Sequence, residues 1–274
     1  LEIMCLPYTY LASAWRGGRR HALFDQVERC CIFLGYPASG HSLVGALLDA
    51  HPDMVVSHEL GLMKYVFARF QRNQLYQLML DKSDAFARRD RVWSGYSYQV
   101  PGQWQGRWRQ LRVIGDKKGM STSLWMGSRP HRLDQLRESI GVPVKVIQAV
   151  RNPFDNIATM LRKGQEGGTK LDECINTYQR LSGFIKNART WIGEDDLYDL
   201  RHEDFVADPK NHLVALCRFL QVDAPQDYIE ACASIVFESP RKTRHGTTWT
   251  AEQISRVNDC IARYDHLHGY RFEE

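Results

Sequence analysis

The sequence predicts an α/β fold of three layers, a central parallel sheet of about five strands flanked by helices, and three observations carry that expectation. Short uninterrupted apolar runs, Cys31 to Leu34 and Val144 to Val150, have the pattern of strands buried on both faces. Stretches with apolar residues at helical spacing alternate with them, and no internal repeat is present. The first run also turns through Gly35 and Gly40 directly into a helix, a P-loop-like strand, loop and helix.

Taken in order, Cys31 to Leu34 is the first strand and Gly35 to Gly40 breaks it. From Ser42 the residues Leu43, Val44, Leu47 and Leu48 recur at helical spacing until His51-Pro52 ends the run. Met54 to Ser57 is a second strand. Leu60 to Leu80 carries apolar residues at mixed helical spacing, a helix or a helix pair. Asp81 to Trp108 is polar, with Trp93, Tyr96, Tyr98, Trp104 and Trp108 among Gly and Pro, and reads as a long excursion of the kind that covers a site, or as an irregular insertion whose aromatics pack down. Leu111 to Gly115 is the third strand and Val144 to Val150 the fourth. There Asn152 can cap the following helix, with Pro153 at its first position and Asp155 in its first turn. A helix from Lys170 to Trp191, a fifth strand from Leu197 to Arg201, a helix opened by Asp208-Pro209 and a last helix from Ala251 to Tyr264 complete the chain. Residues 1–274 read as one domain, with an N-terminal extension over 1–28 and an insertion over 81–110.

Composition narrows the function classes. A charged fraction of 25% and an aromatic fraction of 11% are those of an ordinary globular protein. The net charge of +4 suits an anionic ligand held by a few Lys and Arg, and is too weak for a nucleic-acid partner. The seven cysteines show no CxxC pair and no zinc spacing, so a structural metal is not expected and most read as free buried thiols. No apolar run is long enough to span a bilayer. Ile3 to Trp15 is apolar but broken by Pro7 and followed by arginines; because the chain starts at Leu1, an upstream anchor can lie outside the numbering, so a cytoplasmic and a Golgi-lumenal location both stay open.

Right-handed crossovers put every strand's C-terminal end on one edge of the sheet, where ligands of open α/β sheets bind. At that edge stand the glycine loop, His58-Glu59, Asp116-Lys117-Lys118 and Arg151. The loop Gly35-Tyr36-Pro37-Ala38-Ser39-Gly40-His41-Ser42 has Walker A spacing with His41 in place of the lysine. A histidine, mostly neutral near neutral pH, lacks the permanent charge that a nucleoside triphosphate needs there. The loop amides and hydroxyls still suit an oxyanion such as phosphate or sulfate. A tight turn without a ligand is the plain alternative.

FLGYPASGHSLVGALLDAHPDM resembles the 5′-phosphosulfate loop of the sulfotransferases that use 3′-phosphoadenosine 5′-phosphosulfate (PAPS). Its continuation to Glu59 is most similar to the tyrosylprotein and carbohydrate branches. VIQAVRNPFDNIATM resembles the family's 3′-phosphate segment, and LRHEDFVADPKNHLVALCRFLQV is similar to a later family element. The resemblance implies in-line transfer of a sulfuryl group from PAPS to a hydroxyl or amine, with no metal, on a small-molecule, carbohydrate or tyrosine-bearing acceptor. It implies donor binding by Pro37, Ala38, Ser39, Gly40, His41 and Ser42 at the 5′ end. For the 3′-phosphate it implies Arg151, Thr159 and a late basic loop, Arg241, Lys242 and Arg244. On its own terms that loop is also a solvated charge run, and Arg151 could pair with Asp155.

Glu59 falls where the tyrosylprotein branch keeps its catalytic glutamate, a base if burial raises its pKa; His58 competes, and a helix N-terminal role is the bland reading. Lys117 resembles the lysine that neutralises the leaving group, with Lys118 able to exchange with it. One departure stands out: Ala38 occupies the usual Lys or Arg position of the loop, so Lys117 or His41 must supply that charge. A nucleotide kinase or NTPase with a degenerate lysine, and a catalytically silent binder of 3′-phosphoadenosine 5′-phosphate (PAP), are the competing functions.

Overall fold

The computed structural model describes residues 6–164 and 167–273. Its seven strands are β1 (Arg29–Gly35), β2 (Met54–His58), β3 (Val92–Trp93), β4 (Tyr96–Ser97), β5 (Val113–Lys117), β6 (Val144–Val150) and β7 (Leu197–Arg201). Five form one sheet in the order β2-β5-β1-β6-β7, every pair parallel. β3 and β4 form a separate antiparallel ribbon.

Alternation along β1 explains the three layers. Cys30, Ile32 and Leu34 point to one face, where they join Val55, Ile114, Val144 and Val146 under the helices Leu62–Phe67, Arg72–Ala87, Gly119–Ser128 and His131–Ile140. Cys31 and Phe33 point to the other, with Val56, Val113, Ile147 and Leu200 under the helices His41–Leu48, Pro209–Phe219 and Gln226–Ala233. A third cluster, built on Tyr36, Phe154, Tyr178 and Val257, packs the helices Pro153–Gly164, Leu171–Arg189 and Ala251–Arg263 at the C-terminal end of the central strands.

Several boundaries differ from the sequence reading, each for a physical reason. The segment after Leu60 is a helix pair, and the second helix runs through Ala87, taking the first residues of the expected excursion. Its polar look comes from the solvent side, while Leu75, Met79, Ser83 and Phe86 are buried. The third sheet strand is shifted two residues onward, Val113–Lys117, so Asp116 and Lys117 lie within it. The helix Gly119–Ser128, made largely of Gly, Ser, Thr and Met, has no readable apolar period and is held by packing. β6 and β7 have the expected bounds, and the Asn152 side chain caps the helix after β6 by accepting from the Phe154 amide at 3.0 Å. Asp208 does the same for the Asn211 amide.

Among the described residues, Cys30, Cys31, Cys174, Cys217, Cys232 and Cys260 are free and buried, whereas Cys5 lies outside them. No described helix is long and apolar enough to cross a membrane.

Candidate active site

The strand ends open into a cleft of about 290 Å³. One wall is the β1 loop, which the fold holds rigidly. Tyr36 is fully buried, stacks on Tyr178 with ring centroids 4.0 Å apart and pairs its hydroxyl with Ser182 and His266, both at 2.9 Å. The Gly35 amide donates to Ser123 Oγ at 3.0 Å. Ala38 and Gly40 both take left-handed backbone, with φ of 65° and 89°. A side chain at Gly40 would collide with the His202 ring. Among the described residues, the amides of Ala38, Gly40, His41 and Ser42 take no part in the turn's backbone hydrogen bonds, which leaves them to an anion.

Within the loop, Pro37, Ala38, Gly40, His41 and Ser42 line the cleft. Ser39 does not: it is fully buried, its amide donates to Tyr36 O and its hydroxyl pairs with His41 Nδ1 at 2.9 Å. The expectation that Ser39 offers its amide and hydroxyl to a ligand is corrected accordingly. His41 is corrected in one respect too. Burial and the neighbouring Lys117 push its pKa down to about 3, so it stays neutral and cannot supply the charge missing at Ala38.

A cationic side chain reaches the loop from β5. Lys117 is 1% exposed and donates to Ser42 Oγ at 2.9 Å and Glu59 Oε1 at 2.9 Å. Lys118 donates to Glu59 Oε2 at 2.6 Å. Glu59 is thus clasped by two lysines. Burial pushes its pKa up, but the two ammonium groups outweigh burial and hold it down at about 2. The anticipated rise is not met in this resting arrangement. Burial conversely lowers Lys117 to about 8 despite the Glu59 carboxylate. His58, the competing base, is stacked on Phe86 and is brought to about 3, first by burial and then by Lys117.

On the opposite side, Arg151 leaves the end of β6 and Thr159 stands two turns into the next helix, with Arg151 Nη1 donating to Thr159 Oγ1 at 3.3 Å. Arg151 Nη2 donates to the Arg241 carbonyl, while its buried Nε has no partner among the described residues. Asp155 is not the mate of Arg151. It pairs with Arg244, whose amide donates to Asp155 Oδ1 at 2.9 Å and whose Nε donates to Phe272 O at 2.7 Å.

The late basic loop therefore divides. Arg241 lines the cleft, and its guanidinium donates to Tyr96 OH at 2.9 Å and lies over the Tyr96 and Phe237 rings. Lys242 is exposed outside the cleft lining, and Arg244 is buried in the ion pair. Trp93 and Tyr96 of the β3–β4 ribbon, with Tyr98 just beyond it and Phe237, form an aromatic wall of the cleft that Glu59 also lines.

Three contributors escaped the sequence reading. His202 packs on Gly40 and lines the cleft, its pKa lowered to about 4 by burial and then by Arg151. Arg162 and Lys163 add charge at the rim. Arg162 and Lys163 follow Thr159 by three and four residues, a helical spacing that could have pointed to them. The contact of His202 with Gly40 joins distant segments and had no local signal.

A model described as the sulfotransferase family matches residues 143–226, the stretch from β6 through the helix Pro209–Phe219. The sulfotransferase domain of the curacin biosynthetic pathway is similar in structure, with a TM-score of 0.53 at 14% identity over 87% of this chain and 99% of that one. A sulfotransferase from Mycobacterium avium has a TM-score of 0.52 at 12% identity, over 87% and 77% of the two chains. One from Mycobacterium tuberculosis H37Rv has 0.51 at 15%, over 92% and 81%. A search of curated proteins found no significant match. The chain has the sulfotransferase fold, and the resemblance read from its motifs is borne out at the level of fold and, over residues 143–226, by the match to the family model.

Proposed function

We propose that the protein is a sulfotransferase that moves a sulfuryl group from PAPS to a hydroxyl or amine acceptor by in-line displacement. The observation that carries this reading is one cleft lined by the β1 loop, by Arg151 and Thr159, and by Glu59, with the buried Lys117 paired to Glu59 from behind the lining. The residues fit the donor: free loop amides face one end, and Arg151 with its unpartnered Nε faces the other. PAPS would supply the sulfuryl group. The amides of Ala38, Gly40, His41 and Ser42 would hold its 5′ end, and Arg151, Thr159 and Arg241 its 3′-phosphate. Lys117 stabilises charge on the departing phosphate.

Glu59 accepts the acceptor's proton. As the lysines turn from Glu59 to the bound anion, burial is left as the dominant influence and its pKa climbs toward that of a working base. The aromatic wall suits an acceptor ring, in a small molecule, a carbohydrate or a tyrosine.

The kinase reading is weakened because Asp116, a strand-end candidate for holding the magnesium ion, has its carboxylate engaged by Ser57 and three backbone amides. Thermal shift tests the choice. PAP without Mg²⁺ should raise the melting temperature, and ATP with Mg²⁺ should not. Transfer of labelled sulfate from PAPS to a panel of phenols, sugars and tyrosyl peptides then separates an enzyme from a silent binder. Stabilisation by ATP alone would overturn the proposal.

A further inference from the structure

Asp116 precedes Lys117 on β5, so the two side chains leave opposite faces of the strand. Lys117 reaches the Glu59 side chain, and Asp116 reaches the backbone that carries it. The Asp116 carboxylate accepts from the amides of Leu60 at 2.9 Å, Gly61 at 2.9 Å and Leu62 at 2.8 Å, and from Ser57 Oγ at 2.9 Å. Glu59's own amide donates to Lys117 O at 3.1 Å. The turn after β2 is thereby fastened to β5 at every residue from Glu59 to Leu62.

The turn is not one the chain would hold unaided. Glu59 and Gly61 both have left-handed backbone, φ 59° and 74°, which glycine tolerates and glutamate does not favour. Asp116 is 1% exposed and meets only donors there, which an ionised carboxylate satisfies and an amide side chain cannot. Lose those bonds, and two buried N–H groups and a half-buried one are orphaned while the Glu59 backbone is released toward ordinary conformations.

We propose that Asp116 is the positioning residue of the Glu59 and Lys117 pair, fixing the left-handed turn that aims the Glu59 carboxylate across Lys117 into the cleft. The inference rests on the reading of Glu59 as the base. It extends that reading from the groups that touch substrate to one that acts through them.

The test compares wild type with Asp116→Asn and Gly61→Ala, reading kcat, acceptor KM, PAP affinity and the titration of the Glu59 carboxyl by ¹³C NMR. Asp116→Asn should lower kcat by about tenfold or more, since a shift of about 1 Å in a reacting group costs up to about a hundredfold. PAP affinity should stay within about twofold, because Arg151 and the loop are untouched. The Glu59 titration should move upward from about 2 as the lysine contacts loosen. Gly61→Ala stresses the same turn through its backbone alone, its nearest new contact being Lys64 Cδ at 4.0 Å, and should shift kcat and titration in the same directions. It carries the test if Asp116→Asn does not fold. A folded variant with unchanged kcat and an unchanged Glu59 titration would overturn the proposal. Absence of sulfuryl transfer by wild type, or full turnover by Glu59→Gln, would instead sink the reading of the site, and the Glu59 titration would then decide the role of Asp116 by itself.

Discussion

Arg244 and Asp155 form an ion pair in which both side chains are about as inaccessible as core leucines, at 2% and 3% exposure. The pair ties the loop after Lys242 to the first turn of the helix that begins at Pro153. Replacing Arg244 by Ala leaves a buried carboxylate uncompensated and should cost about 3–5 kcal/mol of stability. Urea unfolding checks this, and an unchanged midpoint would show that the pair is dispensable.

Arg151 should behave in the opposite way. Arg151→Ala is expected to weaken PAP binding by about tenfold or more, the worth of a charge-assisted contact of about 1.5–3 kcal/mol. Its effect on the urea midpoint should be smaller than that of Arg244→Ala. Calorimetric titration with PAP reads the first, and unaltered affinity would remove Arg151 from the donor site.

Lys117→Ala and Glu59→Ala should each reduce turnover by about a hundredfold or more while leaving the far-ultraviolet spectrum unchanged. Near wild-type sulfation by both would sink the roles given to them.

The same two residues set a pH signature in stability. Glu59 has a folded pKa near 2, below its ordinary 4.5, so the unfolded chain binds the extra proton and stability falls as pH drops from about 4.5 to about 2. Lys117 has a folded pKa near 8, below its ordinary 10.5, so the unfolded chain again holds more protons and stability rises as pH climbs from about 8 to about 10.5. Chemical denaturation across pH should show the acid loss reduced in Glu59→Gln and the alkaline gain reduced in Lys117→Met. Identical profiles for variants and wild type would contradict the assignment.

Gly45 offers a test away from the charged groups. A methyl there would come within 2.6 Å of Lys117 Cγ and 2.8 Å of its Cβ, so the lysine stem must shift. Gly45→Ala should therefore lower kcat several-fold or more, with the helix itself slightly favoured by alanine. Full activity would mean that the position of the Lys117 stem is not critical.

What could be read before the structure was whatever local chemistry dictates. β6 and the helix after it were legible because an apolar run, an Asn cap and a Pro at the first helical position all fall within a few residues. The site's edge was legible because crossover handedness places all strand ends together. The state of Glu59 was not. It depends on where β5 ends and on which ammonium groups lie within reach, and both are settled by pairing with a strand some sixty residues away. Arg244 looked like a phosphate ligand for the same reason, since its partner Asp155 is close only in space. His202 lay in plain view in LRHEDF, but its packing against Gly40 brings together two segments with no local link.

Arg241 has a further consequence. Its carbonyl receives Arg151, while its guanidinium grips Tyr96 and covers Phe237, so one residue is shared by the donor end and the aromatic wall. On the proposed reading, occupancy of the two halves should be linked through it. Any factor by which PAP changes acceptor affinity must equal the factor by which acceptor changes PAP affinity, and Arg241→Ala should bring that factor toward one.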